Sequence, residues 1–413
     1  ARLFVGFVKN CHKRGKIDVF LTYEEEKEDL SGIRYNRDLA AAYVGYIVQA
    51  IVNNYVTLLF VQFHTEFSLQ YSEITLLITL NFITQLTVDF LSAYFVDKIG
   101  YRVTVVAAHV LSSVGLIGMA VLPDIMPPLP GLIIAAMLYA IGGGLIEVVI
   151  SPVIEACPSD DKAGSMSLLH SFYCWGVVAV IILSTAFFAL FGIENWRTLA
   201  WLWAAIPMLN AILFLFVPIY TLTENGEAMT VKELGKTKLF WIFVILMLAS
   251  GASELSMSQW ASALTETSLG VSKTVGDLAG ACMFSVAMGF TRVFYSKNSD
   301  RIPLDKFILF SGILCAASYV LTAFSPVPWL SLVGCALCGL SVGIMWPGVY
   351  SIAASGFKRG GTTMFALLAL AGDLGGAIGP AIIGNVSQSA GDNLQAGVLA
   401  GIGFPIVLVI CVL

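Results

Sequence analysis

Charge is scarce in this chain, and the places it avoids carry most of the information. Only 12% of the 413 residues are Asp, Glu, Lys or Arg, against 58% apolar, whereas about a quarter of a soluble domain is charged. Mean hydropathy is +0.85. Apolar stretches long enough to cross roughly 30 Å of hydrocarbon as helix recur throughout. An ordinary soluble domain is excluded, and no nucleic-acid partner is expected. The lipid bilayer is the medium.

Catalytic signatures are missing as well. No HExxH, GxSxG, paired-Asp metal motif or phosphate-binding glycine loop occurs at a plausible depth, so an enzyme is not expected, nor a cofactor or metal. Most of the eight cysteines sit inside apolar spans, where a thiol behaves as a small hydrophobe. Cys335-x-x-Cys338 puts two thiols on one helix face, but without the cation or helix N-terminus that stabilises a thiolate, and two thiolates do not complete a metal site. Residues 1–37 lack the sustained apolar core of a secretory signal. They are basic, then acidic (Glu24-Glu25-Glu26, Glu28-Asp29), and read as a cytosolic N-terminal segment.

What is present is an alternation of basic loops. Of 22 Lys and Arg, 20 fall in or beside every second loop: eight in 1–37, then Lys98 and Arg102, Lys162, Lys232 with Lys236 and Lys238, Arg292 with Lys297, Arg301 and Lys306, and Lys358 with Arg359. The alternate loops hold Arg197 and Lys273. Cytoplasmic loops retain Lys and Arg. The pattern therefore predicts a multi-pass plasma-membrane protein with both termini cytoplasmic and an even number of spans.

Twelve spans satisfy it: roughly 38–63, 74–96, 103–122, 130–155, 166–190 and 198–220, then 239–264, 275–296, 304–324, 329–354, 362–385 and 396–413. The polar stretch 221–238 separates a first bundle (38–220) from a second (239–413) as a cytoplasmic connecting loop. The halves echo each other. Asp97-Lys98-Ile99 matches Asp300-Arg301-Ile302, and Gly144 to Pro152 in span 4 matches Gly339 to Pro347 in span 10. Matching Gly/Pro interruptions in two halves are the mark of a transporter built from repeats.

These residues resemble a known family. Ala93-Tyr-Phe-Val-Asp97-Lys-Ile-Gly100-Tyr-Arg102 is similar to the loop 2–3 signature of the major facilitator superfamily, with Ala93 where Gly is usual. Within it the chain most resembles the bacterial fucose–proton symporter group. That likeness rests on Asn53-Asn54-x-x-x-Leu58-Leu59-x-x-Gln62-Phe63, Leu145-x-Glu147-x-x-x-Ser151-Pro152, Leu169-His170-Ser171-Phe172 and Trp346-Pro347. The resemblance implies an all-α membrane protein, two pseudo-symmetric six-helix bundles around a central cavity, and alternating access. It also gives Glu147 a role in proton coupling and sugar binding. The group's second key carboxylate stands where this chain has Thr57, which cannot titrate.

Ionisable groups at membrane depth are functional or paired by default. Glu254 and Asp373 are candidates for the missing carboxylate, so proton coupling is assigned to Glu147, Glu254 and Asp373. Substrate binding is assigned to Asn53, Asn54, Thr57, Glu147, His170, Trp175, Glu254, Gln259, Trp260 and Trp346, the aromatics as stacking surfaces for a sugar. A cross-bundle hydrogen bond is the competing role for Glu254, helix packing for Asp373, and interface anchoring for the tryptophans. His109 reads as peripheral. Asp97, Arg102, Asp300 and Arg301 are expected to pair across cytoplasmic helix ends as a gate. Arg292 and Asp89 are placed on the cytoplasmic side, Arg292 with the gate. Glu155, Asp160 and Asp161 read as a solvated acidic loop.

On this reading the membrane core contains no basic residue. An anionic substrate usually needs one to offset desolvation, so a neutral polar or a cationic substrate is expected. Span 5 lacks the Gly-Pro of drug–proton antiporters, which favours symport over export of a cationic or amphipathic molecule. A sensor or interaction protein on a transporter fold is the reading from a different class. The expected partners are a small-molecule substrate, protons and lipid, with the chain acting as a monomer.

Overall fold

In a bilayer every backbone N–H and C=O must be satisfied within the protein, so long apolar runs without water can only become helices. The computed structural model describes residues 39–222, 228–270, 276–325, 327–391 and 393–413. It is all-helical in those residues. The long helices are α1 (Leu39–Phe67), α2 (Tyr71–Ile99), α3 (Tyr101–Ile125), α4 (Pro128–Ala156), α5 (Lys162–Phe191) and α6 (Ile193–Phe216). The second set is α7 (Lys238–Leu269), α8 (Leu278–Asn298), α9 (Leu304–Phe324), α10 (Trp329–Gly356), α11 (Gly361–Ser389) and α12 (Leu394–Val412). Eleven of these are long and apolar enough to cross a membrane by length and composition. The twelfth, α2, has 29 residues, about 43 Å at 1.5 Å per residue.

Within the first bundle α3 packs on α4 and α6, and within the second α7 packs on α11 and α9 on α10. The bundles meet along α5–α8 and α2–α11, with further contacts of α4 with α11 and α5 with the inner half of α10. Part of the connecting stretch is described: a short helix, Val231–Gly235, starts with a capping box in which Thr230 and Glu233 satisfy each other's backbone N–H. The Thr230 backbone N–H and hydroxyl hold the Glu233 carboxyl below the usual carboxylate range. The segment 1–37 lies outside the described residues.

Two interruptions shape the interior. In α1 the helix tightens into a 3₁₀ turn over Val56–Leu59. In α10 it breaks at Gly343–Ile344, between Val342 and Met345. Pro347 explains the second break, because it has no N–H to offer the Gly343 carbonyl four residues earlier and its ring crowds that carbonyl. The freed oxygen is taken by the Nε of Arg292 at 2.9 Å.

Close approach of α7 and α11 depends on glycine. A methyl on Gly251 would overlap the Gly372 carbonyl, and one on Gly372 would overlap the Trp346 indole. Small residues of this kind let membrane helices pack backbone to backbone. Gly251→Val is expected to lower stability by about 1–3 kcal/mol through overpacking, read as a fall in melting temperature in detergent. A melting curve identical to that of the parent protein would contradict this packing.

Candidate functional site

A cavity of about 510 Å³ lies between the bundles. Its walls come from the outer halves of α1, α2, α5, α7 and α8, with Thr57, Asn81, Ile181, Gln259 and Ala281 among the lining residues. Its floor holds Glu147, His170, Glu254, Arg292, Trp346 and Asp373. Hydrogen bonds that join the bundles lie at or below that floor, on the side of the basic loops. They include Thr362 Oγ1 to the Tyr101 hydroxyl at 2.7 Å, Thr363 Oγ1 to the Ala93 carbonyl at 3.1 Å, and Ser167 Oγ to the Arg292 carbonyl at 2.8 Å. The cavity therefore opens away from the Lys- and Arg-bearing loops.

Helix periodicity builds the first-bundle wall. Tyr46, Gln49 and Asn53 recur on one face of α1, and Asn81, Gln85 and Asp89 recur at every fourth position of α2, so each set points one way. Gln85 Nε2 donates to Asn53 Oδ1 at 3.0 Å, and Tyr173 lies near Asn53 and Asn54. At the 3₁₀ turn Thr57 Oγ1 donates to the Asn54 carbonyl at 2.7 Å. Gln49 Nε2 donates to the Glu147 carboxylate, and Glu147 is 8% exposed. The Tyr46 hydroxyl lies 2.7 Å from Ser151 Oγ and 3.2 Å from His170 Nε2. Tyr46, Gln49, Asn81, Gln85 and Tyr173 were not among the residues singled out from sequence. The four-residue spacing in α2 was the available signal.

Arg292 corrects the expectation of a core without basic residues. It is 2% exposed and lines the cavity. Its Nη2 lies 3.4 Å from the Glu254 carboxylate, and Nη1 donates to the His170 carbonyl at 2.9 Å and to Cys174 Sγ at 3.0 Å. With Nε on the Gly343 carbonyl, the guanidinium joins α5, α7, α8 and α10 across both bundles. Sequence position near the end of a span suggested a side chain reaching for the cytoplasmic interface. The Pro347 break supplies an inward acceptor instead.

The expected gate is not assembled as predicted. Arg102 donates to the Phe214, Leu215 and Val217 carbonyls at 2.6, 2.9 and 2.8 Å, capping the end of α6 in its own bundle. A helix C-terminus with free carbonyls is a natural cation site. Asp300 and Arg301 are exposed and form no ion pair among the described residues. Asp97 does sit beside Gly361 at the start of α11. Asp161, taken as solvated, caps α5 through Gly164 N at 2.8 Å and accepts the Ser299 hydroxyl from the other bundle. One Glu155 oxygen is buried.

Two aromatic assignments are also corrected. Trp175 and Trp260 do not line the cavity: Trp175 is 38% exposed and covers Gly289, and Trp260 packs at Gly384 and donates to the Pro380 carbonyl at 3.1 Å. Their helix positions turn the indoles away from the centre. Trp346 does line it, with its N–H buried and unpartnered. His109 is fully buried rather than peripheral, held by Asn210 at 2.9 Å and the Val105 carbonyl at 2.7 Å.

Asp89, expected on the cytoplasmic side, faces the underside of this floor. It is 0% exposed and adjoins Asp373, with Glu147 close by. Four carboxyls therefore gather at or under the floor, and among the described residues Arg292 pairs with Glu254 alone. Arg292→Met is expected to cost about 3 kcal/mol or more, because it leaves Glu254 buried without its counter-charge. Adding Glu254→Gln should recover much of that loss in the same melting assay. Equal melting of Arg292→Met and the parent would show that the pair does not support the fold.

Comparison with known proteins agrees with this architecture. Residues 42–380 match the family model described as Major Facilitator Superfamily. Membrane protein MosC of Rhizobium meliloti is 24% identical over 306 residues, covering 73% of this chain and 72% of that protein. The transporter FucP in its outward conformation, known in E. coli as a fucose:proton symporter, superposes with a TM-score of 0.77 at 15% identity, covering 92% of this chain and 98% of that one. The proton:xylose symporter XylE, bound to 6-bromo-6-deoxy-D-glucose, gives 0.76 at 14% identity, covering 92% and 95%. The human organic anion transporter MFSD10 gives 0.70 at 14% identity, covering 92% and 99%. With the family match spanning residues 42–380 and a cavity lying between two helical bundles among the described residues, the chain belongs to the major facilitator superfamily.

Proposed function

We propose that this transporter couples entry of a small, neutral, sugar-like solute to protons by alternating access. The observation that carries the reading is the environment of Glu147, a buried carboxyl at the cavity floor, bonded to Gln49 and close to Asp373. Four carboxyls at this floor, one of them paired with Arg292, cannot all ionise in a low-dielectric interior, because like charges in one site disfavour each other's charged form. Binding protons relieves that repulsion. Glu147, Asp373 and Glu254 thus supply titratable groups that Thr57 cannot.

The solute class follows from the lining. Asn53, Asn54, Gln85 and Gln259 offer paired donors and acceptors suited to hydroxyls, and Trp346 offers a flat apolar face with a free N–H. The presence of Arg292 removes the earlier argument against anions, but its donors are already occupied by Glu254 and carbonyls. The surplus of carboxyls still disfavours an anion. That same surplus favours a cation over a neutral solute if the carboxyls stay ionised, which is the antiport alternative. FucP and XylE, proton symporters by name, support the first reading by their fold. The protein is proposed to act as a monomer in the plasma membrane with cytoplasmic termini.

A thermal-shift screen of sugars, polyols, nucleosides and amines, followed by uptake into liposomes, tests the proposal. Glu147→Gln is expected to keep exchange of labelled substrate but lose accumulation driven by a pH gradient. Unchanged accumulation would remove Glu147 from coupling. Transport of an organic anion without sugar or cation uptake would overturn the solute class, and absence of any exchange would favour a sensor on this fold.

A further inference from the structure

One buried carboxyl has no role in the reading above. Asp89 is 0% exposed, does not line the cavity, and has two oxygens without a hydrogen-bond partner. It projects from α2 where that helix packs on α11, and Asp373 of α11 adjoins it. Glu147 faces it from α4 and the Tyr350 hydroxyl from α10. The nearest buried cation, Arg292, is held on α8 by Glu254 and two carbonyls.

The pair straddles the two bundles. Glu147 does not, since its bond to Gln49 joins α4 and α1 of the same bundle. Two ionised carboxylates at the α2–α11 seam repel. One proton between them makes an O–H···O⁻ contact, the charge-assisted kind that is roughly twice as strong as a neutral hydrogen bond. The sign of the force across the seam therefore depends on a single proton. Asp373 reaches the cavity, whereas Asp89 is sealed behind it, so cavity water supplies that proton through Asp373.

We infer that Asp89 and Asp373 share one proton across the α2–α11 seam, and that this proton latches the basic-loop side closed. When the carboxylic acid of the pair releases it through Asp373 to the cavity water that supplied it, two carboxylates remain and the bundles part. The inference rests on the alternating-access reading but assigns a step to a residue outside the solute site.

Hydrogen exchange of residues 93–99 and 361–365 in the purified full chain, corrected for intrinsic pH dependence, reads the seam directly without any substrate. Between about pH 5 and about pH 9, spanning the range above ordinary carboxylate titration, the parent protein should pass from protected to exposed. Asp89→Asn supplies an amide donor to Asp373 at every pH, so the seam should stay protected and the pH response be lost. Asp373→Asn should do the same, and serves if the first variant does not fold. A parent-like response in either folded variant, or no pH response in the parent, overturns the latch. Protection set by sodium at fixed pH overturns the proton in favour of a metal cation. Proton-driven uptake by the parent in liposomes is measured separately. Its absence beside a pH-responsive seam would sink the symport reading and leave the latch.

Discussion

A guanidinium buried at membrane depth must find an acceptor for its donors or forfeit several kcal/mol of hydration. Arg292 meets that demand with the Glu254 carboxylate, the Gly343 and His170 carbonyls and the Cys174 sulfur. These partners come from three helices other than its own, so one side chain sets the relative positions of α5, α7, α8 and α10. The Gly343 carbonyl is free because Pro347 cannot bond it. The helix break and the buried cation are two halves of one arrangement.

The floor built around that cation separates two tasks. On the cavity side, Gln49, Asn53 and Gln85 present amides, and Glu147 is tied to its own bundle. Beneath it, Asp89 adjoins Asp373 of the floor across the seam between bundles. Hydroxyl contacts such as Tyr101 with Thr362 and Thr363 with Ala93 close the same seam with weak, reversible bonds. A seam held by a few such bonds, each worth about 1 kcal/mol, can open without unfolding the bundles. Glycine-mediated packing of α7 on α11 is of the opposite kind and belongs to the rigid interior of one bundle.

Much of this was legible beforehand. Hydropathy marked the spans, the Pro152 and Pro347 positions marked the repeat, and the rarity of carboxyls in apolar sequence drew attention to Glu147, Glu254 and Asp373, all of which line the cavity. The errors have a common origin. Arg292 and Asp89 were placed by distance along the chain from a span end, but a side chain several angstroms long chooses between interface and interior according to what the neighbouring helix offers. Arg102 was assigned to a partner in the other half, whereas the free carbonyls at the end of α6 are closer. Trp175 and Trp260 were chosen for chemistry alone, and their azimuth on the helix decides against them.

The sequence by itself determined the all-helical membrane architecture and its division into two bundles. Both follow from properties that need no partner: the cost of leaving a backbone group unbonded in lipid, and the internal repeat. Positive-inside bias set the expected orientation in the same way. Only the tertiary structure decided which polar side chains face one another. Azimuth and register between helices fix that, through the fit of glycine to carbonyl and of Arg292 to a broken helix. Those fits depend on pairs of residues far apart in the chain.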